Sequence, residues 1–276
     1  NMCVYIYKHL FKMKNKIIIL GITSDIGKEL AKMFYEEDYE IIGTYNSSKN
    51  LGLLPKKNIK LLKIDMDNIH AKDILKLKRI SKNWKIFISC VGTISPIGKF
   101  FDNEIKKIKK SFNINFFSNL EILKKIIPQR SKKSHLFFFS GSGSNGPSNE
   151  LSVYCLSKLL LIKSAELISS EYPDLNCTTI GPGFINTKIH NDLISKKTKF
   201  KKAYNKYLYL KNKEIDNNNA YKDIYFLIKQ CIKYPLIAKG RNFSSRYDNL
   251  NNIFLKFQKQ LKTNENLFKL RRHDKI

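Results

Sequence analysis

Runs of consecutive apolar residues alternate along this chain with longer stretches in which apolar side chains recur every three or four positions. The runs are Lys16–Leu20, Glu40–Thr44, Lys60–Ile64, Lys85–Val91, His135–Ser140 and Asn176–Ile180, with a weaker seventh at Asn242–Ser245. Helical periodicity fills Ile26–Tyr35, Ala71–Ile80, Asn103–Ile127, Leu151–Ser170 and Asn219–Lys233. Apolar strands alternating with helices predict an α/β fold in three layers, a doubly wound parallel sheet of about seven strands buried on both faces.

The chain has 276 residues, enough for one such domain. The expected division is an N-terminal extension over 1–12 with Met13 as the natural start, the α/β domain over 13–249, and a basic helical tail over 250–276. No apolar run is long enough to span a membrane, and the start lacks the pattern of a cleavable leader. The five cysteines and five histidines are scattered, which predicts neither a disulfide framework nor a metal site. A reducing cytoplasm is the expected location. The formal net charge of +28 would suit nucleic acid, but the lysines are spread along the chain rather than gathered in one arm. The expectation is therefore attraction of small anionic ligands, not nucleic-acid binding.

The first strand leads into Gly21-Ile22-Thr23-Ser24-Asp25-Ile26-Gly27, which opens the first helix. That is the context of a phosphate-binding turn, in which free N–H groups at the helix start face a diphosphate. Gly21 permits the sharp bend and Gly27 permits close helix–strand packing. Asp25 stands where the middle glycine of such a turn is expected. It or Ser24 suits the helix N-cap, with the carboxylate turned to backbone N–H groups.

The pattern Y-x-x-x-K starts at Tyr45, Tyr154, Tyr207, Tyr209 and Tyr225, so its mere presence means little. Only Tyr154 and Lys158 lie between the glycine-rich end of the fifth strand, "FFFSGSGSNG", and a sixth strand that ends in "IGPGFINTKI". This pair shares one helix face at the carboxyl edge of the predicted sheet.

Taken in order, these motifs resemble the short-chain dehydrogenase/reductase family over roughly Asn15 to Asn249. The glycine turn appears as Gly21, Thr23, Ser24, Asp25, Ile26 and Gly27. The adenine-contacting acid appears as Asp65, followed by Met66. The family's "NNAG" appears as Ser89-Cys90-Val91-Gly92, with only the glycine kept. The helix asparagine appears as Asn115, the tyrosine–lysine pair as Tyr154 and Lys158, and the "PG" turn as Pro182-Gly183, with Ile185 and Thr187 following. The family serine falls at Gly141 by distance from the tyrosine. Aligned from the strand it is Ser140, with Ser142 as the alternative. The phrases "GPGFINTKIH" and "GRNFSSRYDNL" and the closing "KLRR" also resemble a bacterial branch associated with surface polysaccharides.

The resemblance implies hydride transfer between a nicotinamide and a carbonyl or alcohol, with catalytic residues Asn115, Ser140, Tyr154 and Lys158. Tyr154 would donate the proton, its pKa lowered by Lys158. That needs about 4 kcal/mol to bring a phenol to neutrality. Ser140 would orient the substrate oxygen, and Asn115 would hold a water for proton relay. The second strand ends Thr44-Tyr45-Asn46 with no acid, and Ser47, Ser48 and Lys49 follow, which favours NADP(H) over NAD(H). His190 and Cys155 lie near the site in sequence and read as packing rather than chemistry. Two other functions share these motifs: a sugar-nucleotide epimerase or dehydratase, disfavoured by the short segment from Pro182 to Arg241, and a non-catalytic nucleotide sensor. Surplus apolar residues on the helices Asn103–Ile127 and Leu151–Ser170 predict a homodimer or homotetramer.

Overall fold

The computed structural model describes residues 14–47, 52, 57–144, 146–213, 216–248, 254 and 258–271. The expected extension 1–12 with Met13, and the residues Ser48 and Lys49, lie outside the described residues. Seven strands form one parallel sheet: β1 (Lys16–Leu20), β2 (Glu40–Tyr45), β3 (Ile59–Lys63), β4 (Trp84–Ser89), β5 (Arg130–Phe139), β6 (Leu175–Gly181) and β7 (Asn242–Ser244). Their order is β3-β2-β1-β4-β5-β6-β7. The helices are α1 (Asp25–Glu36), α2 (Ala71–Ile80), α3 (Ile105–Phe112), α4 (Ser118–Ile126), α5 (Ser152–Glu171), α6 (Asn191–Ser195), α7 (Lys201–Asn212), α8 (Asn217–Lys233), α9 (Pro235–Ala238) and α10 (Gln258–Thr263).

The alternation of side chains along each strand sorts the core into two layers. Ile17, Ile19, Ile86, Ile88, Phe137 and Phe139 face Leu30 and Phe34 of α1 and Ile224, Leu227 and Ile228 of α8. Ile18, Leu20, Phe87, Leu136 and Phe138 face α2, α4 and α5 through Leu77, Ile122, Ile126, Leu161 and Ala165. Both faces are covered, so the central strands carry no polar face.

All seven expected strands are present, and their bounds shift by a residue or two. The exception is β5, which begins at Arg130 and pairs that residue with Trp84. The helix expected over Asn103–Ile127 is interrupted: a π turn at Asn113–Phe117 joins α3 to α4. The helix α7 carries no strong apolar stripe and was not foreseen.

The C-terminal segment packs into the body of the protein. Phe254 and Leu261 are buried in the same layer as α1 and α8. Arg241, 5% exposed, organises the segment by donating to four carbonyls: Ile237 O, Leu261 O (2.6 Å), Leu267 O (3.1 Å) and Asn264 O (3.3 Å). Arg271 pairs with Glu166 of α5 at 2.5 Å and holds that carboxyl down to about 2. Replacing Arg241 with alanine should leave these buried carbonyls unpaired and cost about 2–4 kcal/mol of stability in urea unfolding. A loss below about 0.5 kcal/mol would show that the segment is held by its apolar contacts alone.

Candidate active site

The topology reverses between β1 and β4, and in parallel sheets ligands settle beyond the carboxyl ends of the strands at such a point. The phosphate-binding turn leaves β1 there and is fixed to β2. Gly21 N donates to the Thr44 hydroxyl at 3.0 Å, and Ile22 N donates to Thr44 O at 2.9 Å. Gly21 has φ +70°, where a side chain would be strained. A Cβ on Gly27 would stand 2.4 Å from Gly21 O, so α1 can approach the turn only because residue 27 is glycine. Ser24 is the N-cap of α1, its hydroxyl accepting from Gly27 N at 3.0 Å. Asp25 does not cap. Its carboxylate accepts from Lys188 N at 2.9 Å, in the loop after β6.

Tyr154 and Lys158 sit one turn apart on α5, and the Lys158 ammonium lies 5.6 Å from the Tyr154 ring centroid. The Tyr154 hydroxyl packs on Gly141: a Cβ there would stand 2.5 Å from it. Gly141 therefore cannot carry the site hydroxyl by exchange for serine without moving the tyrosine. Ser140 is buried at the end of β5, close to Gly181. The Ser142 side chain bonds Cys155 instead.

Asn115 lies in the π turn, where the extra residue re-aims side chains. It accepts from Thr93 N at 2.8 Å and donates to Thr93 O and to the Ser157 hydroxyl at 2.9 Å each. Ser157 in turn donates to Tyr154 O at 2.7 Å. Both amide hydrogens of Asn115 are thus engaged in tying the loop after β4 to α5. Ser89 partly replaces the lost family asparagine, its hydroxyl donating to Asn119 at 2.6 Å.

The electrostatics correct one expectation. Burial pushes the Tyr154 phenol above its ordinary value rather than below it, and Lys158 does not offset this. Lys158 is itself 5% exposed, and burial brings it down to about 8. Desolvation of two adjacent groups outweighs the attraction that one cation offers the phenolate. Cys90, raised by burial to about 12, stays a thiol beside Ser24 and Lys158.

A cavity of about 1130 Å³ joins these residues. Ser24, Asp25, Ile26, Cys90, Val91, Gly92, Ser140, Tyr154, Lys158, Pro182, Gly183, Ile185 and Thr187 line it. Asn46, Asp65 and Met66 lie further along the same sheet edge, where Asp65 accepts from Asn46 at 3.4 Å and from Asp67 N at 2.9 Å. Thr44 and Tyr45 do not reach that surface. Both are buried, and the Thr44 hydroxyl serves the turn, so of the three residues expected at the end of β2 only Asn46 is exposed. Glycine is needed at two points of this lining for the site's own side chains to pack: a Cβ on Gly92 would stand 3.3 Å from Lys158 Nζ, and one on Gly183 would stand 2.8 Å from Arg246.

Sequence reasoning missed an aromatic cluster next to Tyr154. Phe184, His190 and Tyr207 form a ring cluster with centroids 5.1–5.9 Å apart, and Tyr204 stacks on Tyr207 at 5.9 Å. His190 bonds Thr187 O and is lowered by burial, which suits packing rather than proton transfer. The three-residue spacing of Tyr204 and Tyr207 was the available signal. Among the described residues no group of side chains could hold a metal, and no helix is long and apolar enough to cross a membrane.

The chain belongs to the short-chain dehydrogenase family: the family profile described as "short chain dehydrogenase" matches residues 15–198. An uncharacterized oxidoreductase of Schizosaccharomyces pombe is 30% identical over 121 residues, 42% of this chain and 49% of that protein, so the chain spans about half of that relative's length. A benzil reductase ((S)-benzoin forming) of Saccharomyces cerevisiae is 25% identical over 198 residues, 66% of this chain and 75% of that protein. The fold matches a short-chain dehydrogenase family protein from Francisella tularensis at TM-score 0.68, with 19% identity over 84% of this chain and 97% of that one. It also matches BdcA, solved in complex with NADPH, at TM-score 0.57 and 18% identity over 65% and 77%.

Lys158 sets a pH test. Its folded pKa of about 8 lies below the unfolded value near 10.5, so the unfolded chain binds the extra proton between them. The stability of the wild type relative to Lys158→Met should therefore be greatest above about pH 10.5 and fall by about 3 kcal/mol as pH drops to 8. A pH-independent difference in unfolding free energy would show that Lys158 is not desolvated.

Proposed function

We propose that the protein reduces a bulky, flat carbonyl compound to an alcohol, with NADP(H) preferred over NAD(H). The observation that carries this reading is the half-buried Tyr154 beside the buried Lys158 at the wall of a large cavity that also carries the rings of Phe184, His190 and Tyr207. When bound, the nicotinamide supplies or accepts the hydride. Tyr154, held protonated by burial, donates its proton to the carbonyl oxygen as the carbon receives the hydride, so one hydride and one proton make the alcohol. Ser140 orients that oxygen, and Lys158 binds the nicotinamide ribose. Asn115 and Ser157 keep Lys158 and Tyr154 in register. A phenol with a high pKa is a weak acid in water but a sufficient donor to a developing alkoxide.

The aromatic wall favours an aryl ketone or diketone over the polyhydroxylated sugar suggested by the bacterial branch, and the yeast benzil reductase supports the same choice. The missing acid at the end of β2, with Asn46 in its place, supports NADP(H), as does the neighbour solved with NADPH. The setting we propose is a reducing cytoplasm, in keeping with the free thiols of Cys90, Cys155, Cys177 and Cys231.

We propose a homodimer for the assembly. On α5 the exposed residues Leu156, Leu160 and Leu167 recur at spacings of four and seven, one continuous stripe. Phe117, between α3 and α4, is also exposed. Light scattering at micromolar concentration should give a dimer mass, and Leu160→Glu should shift it toward the monomer. A monomer mass for the unaltered chain would end this proposal.

The chemistry is tested by NADPH oxidation with benzil and related ketones. Tyr154→Phe should abolish turnover while NADPH still binds, and Ser140→Ala should lower kcat about 10²-fold. Near-normal turnover by Tyr154→Phe would refute the reading.

A further inference from the structure

The loop after β6 is fastened to the phosphate-binding turn at two points. Asp25 accepts the Lys188 N–H at 2.9 Å, and the Lys188 ammonium donates to Thr23 O at 2.8 Å. Both residues line the main cavity and the adjoining hollow of about 580 Å³. The first of these ties exists because residue 25 is an aspartate, since a glycine would offer no side-chain acceptor; the second is made to backbone.

Asp25 presents an electrostatic problem. It lies in the first turn of α1, whose free N–H groups and dipole favour an anion. A carboxylate there uses part of that capacity and repels a diphosphate. A compensating cation must lie close by. Of the other lysines that line the cavity, Lys158 is buried beside Gly92 and Asn115, and Lys206 donates to Ser148 at 3.2 Å. Lys269 lies by Glu166, Arg241 and Arg271 of the C-terminal wall. Lys188 alone among these four is fixed on the turn itself.

We propose that Lys188 is a further dinucleotide-binding residue, whose ammonium meets the cofactor diphosphate, and that Asp25 is its positioning residue. The aspartate that costs the turn its middle glycine holds in place the lysine that offsets its charge. Lys188 need not be recruited from a mobile chain end: its backbone is fixed by Asp25, and only the ammonium must swing from a carbonyl oxygen to a phosphate oxygen. A neutral acceptor is thereby exchanged for a charged one, a stronger partner for an ammonium.

This inference rests on the dinucleotide reading given above, and its test separates the two. Calorimetric Kd values are measured for NADPH, for 2′-phospho-ADP-ribose, which keeps the diphosphate without nicotinamide, and for 2′-AMP, which lacks the diphosphate. Lys188→Gln should weaken the first two about tenfold and leave 2′-AMP unchanged, and the salt dependence of the first two should flatten. Lys188→Arg should retain binding and control for folding. Asp25→Asn keeps an acceptor for the Lys188 N–H, removes the repulsion and should tighten both diphosphate ligands. Unchanged binding of 2′-phospho-ADP-ribose by Lys188→Gln would overturn the proposal alone. Equal weakening of 2′-AMP would overturn it too, by showing only a general charge effect. If the wild type binds neither NADPH nor 2′-phospho-ADP-ribose, the dinucleotide reading itself fails and this inference falls with it.

Discussion

Lys158 is an amine almost sealed from water, and much of the site follows from what that burial demands. A protonated lysine in such a place is costly unless polar groups surround it. Gly92 leaves room for the ammonium because it has no side chain, and Asn115 brings an amide oxygen to the same space. Asn115 can hold that position only because the π turn re-aims it and Thr93 and Ser157 engage its amide. Ser157 is the residue just before Lys158, so the brace and the buried amine share one turn of α5. The phenol of Tyr154 sits on the other side of that turn, against a glycine that cannot be replaced without displacing it.

The architecture was legible because it depends on patterns that survive substitution. Strands buried on both faces show as apolar runs whichever of Ile, Leu or Phe fills them, so all seven strands and the helices α1, α2, α5 and α8 could be placed, while the pattern over Asn103–Ile127 hid a π turn and α7 offered no stripe to read. Tyr154, Lys158 and Ser140 were singled out from order along the chain rather than from any single motif, and the fold brings them, with Ser142, to one cavity. What could not be read was set by tertiary contact. Thr44 looked like a cofactor ligand, but its hydroxyl is taken by Gly21 across two strands. Asp25 and Ser24 both suited the cap; Ser24 takes it, and the partner of Asp25 lies in a loop 163 residues away. Desolvation, which pushes the Tyr154 phenol up, cannot be read from a tyrosine and a lysine spaced four apart. The aromatic wall arises from rings on separate elements, and only Tyr204 and Tyr207 share a helix.

The formal charge of +28 also takes on a structural meaning. Several basic side chains are spent on holding segments together rather than on a surface field. Arg241 gathers carbonyls of the C-terminal segment, Arg271 grips α5 through Glu166, Arg130 pairs with Asp174 at 2.8 Å, and Lys229 pairs with Glu37. Exposed pairs of this kind add little each. The Arg241 cluster matters more, because Arg241 and its bonds to Ile237 O and Leu261 O are buried.

The two core layers differ in where along the chain they are finished. The layer under α2, α4 and α5 draws its buried residues from the chain up to Cys177. The opposite layer, under α1 and α8, also needs Phe243, Phe254 and Leu261. During synthesis from the N-terminus, one side of the sheet can close while the other waits for the residues from Phe243 to Leu261 to leave the ribosome. A nascent chain stalled before Phe254 would expose the apolar face of α8 and the β6–β7 edge. Truncation or premature release near the C-terminus would therefore yield a half-closed sandwich open to chaperones and proteases, even though no residue of the Tyr154–Lys158 pair is missing.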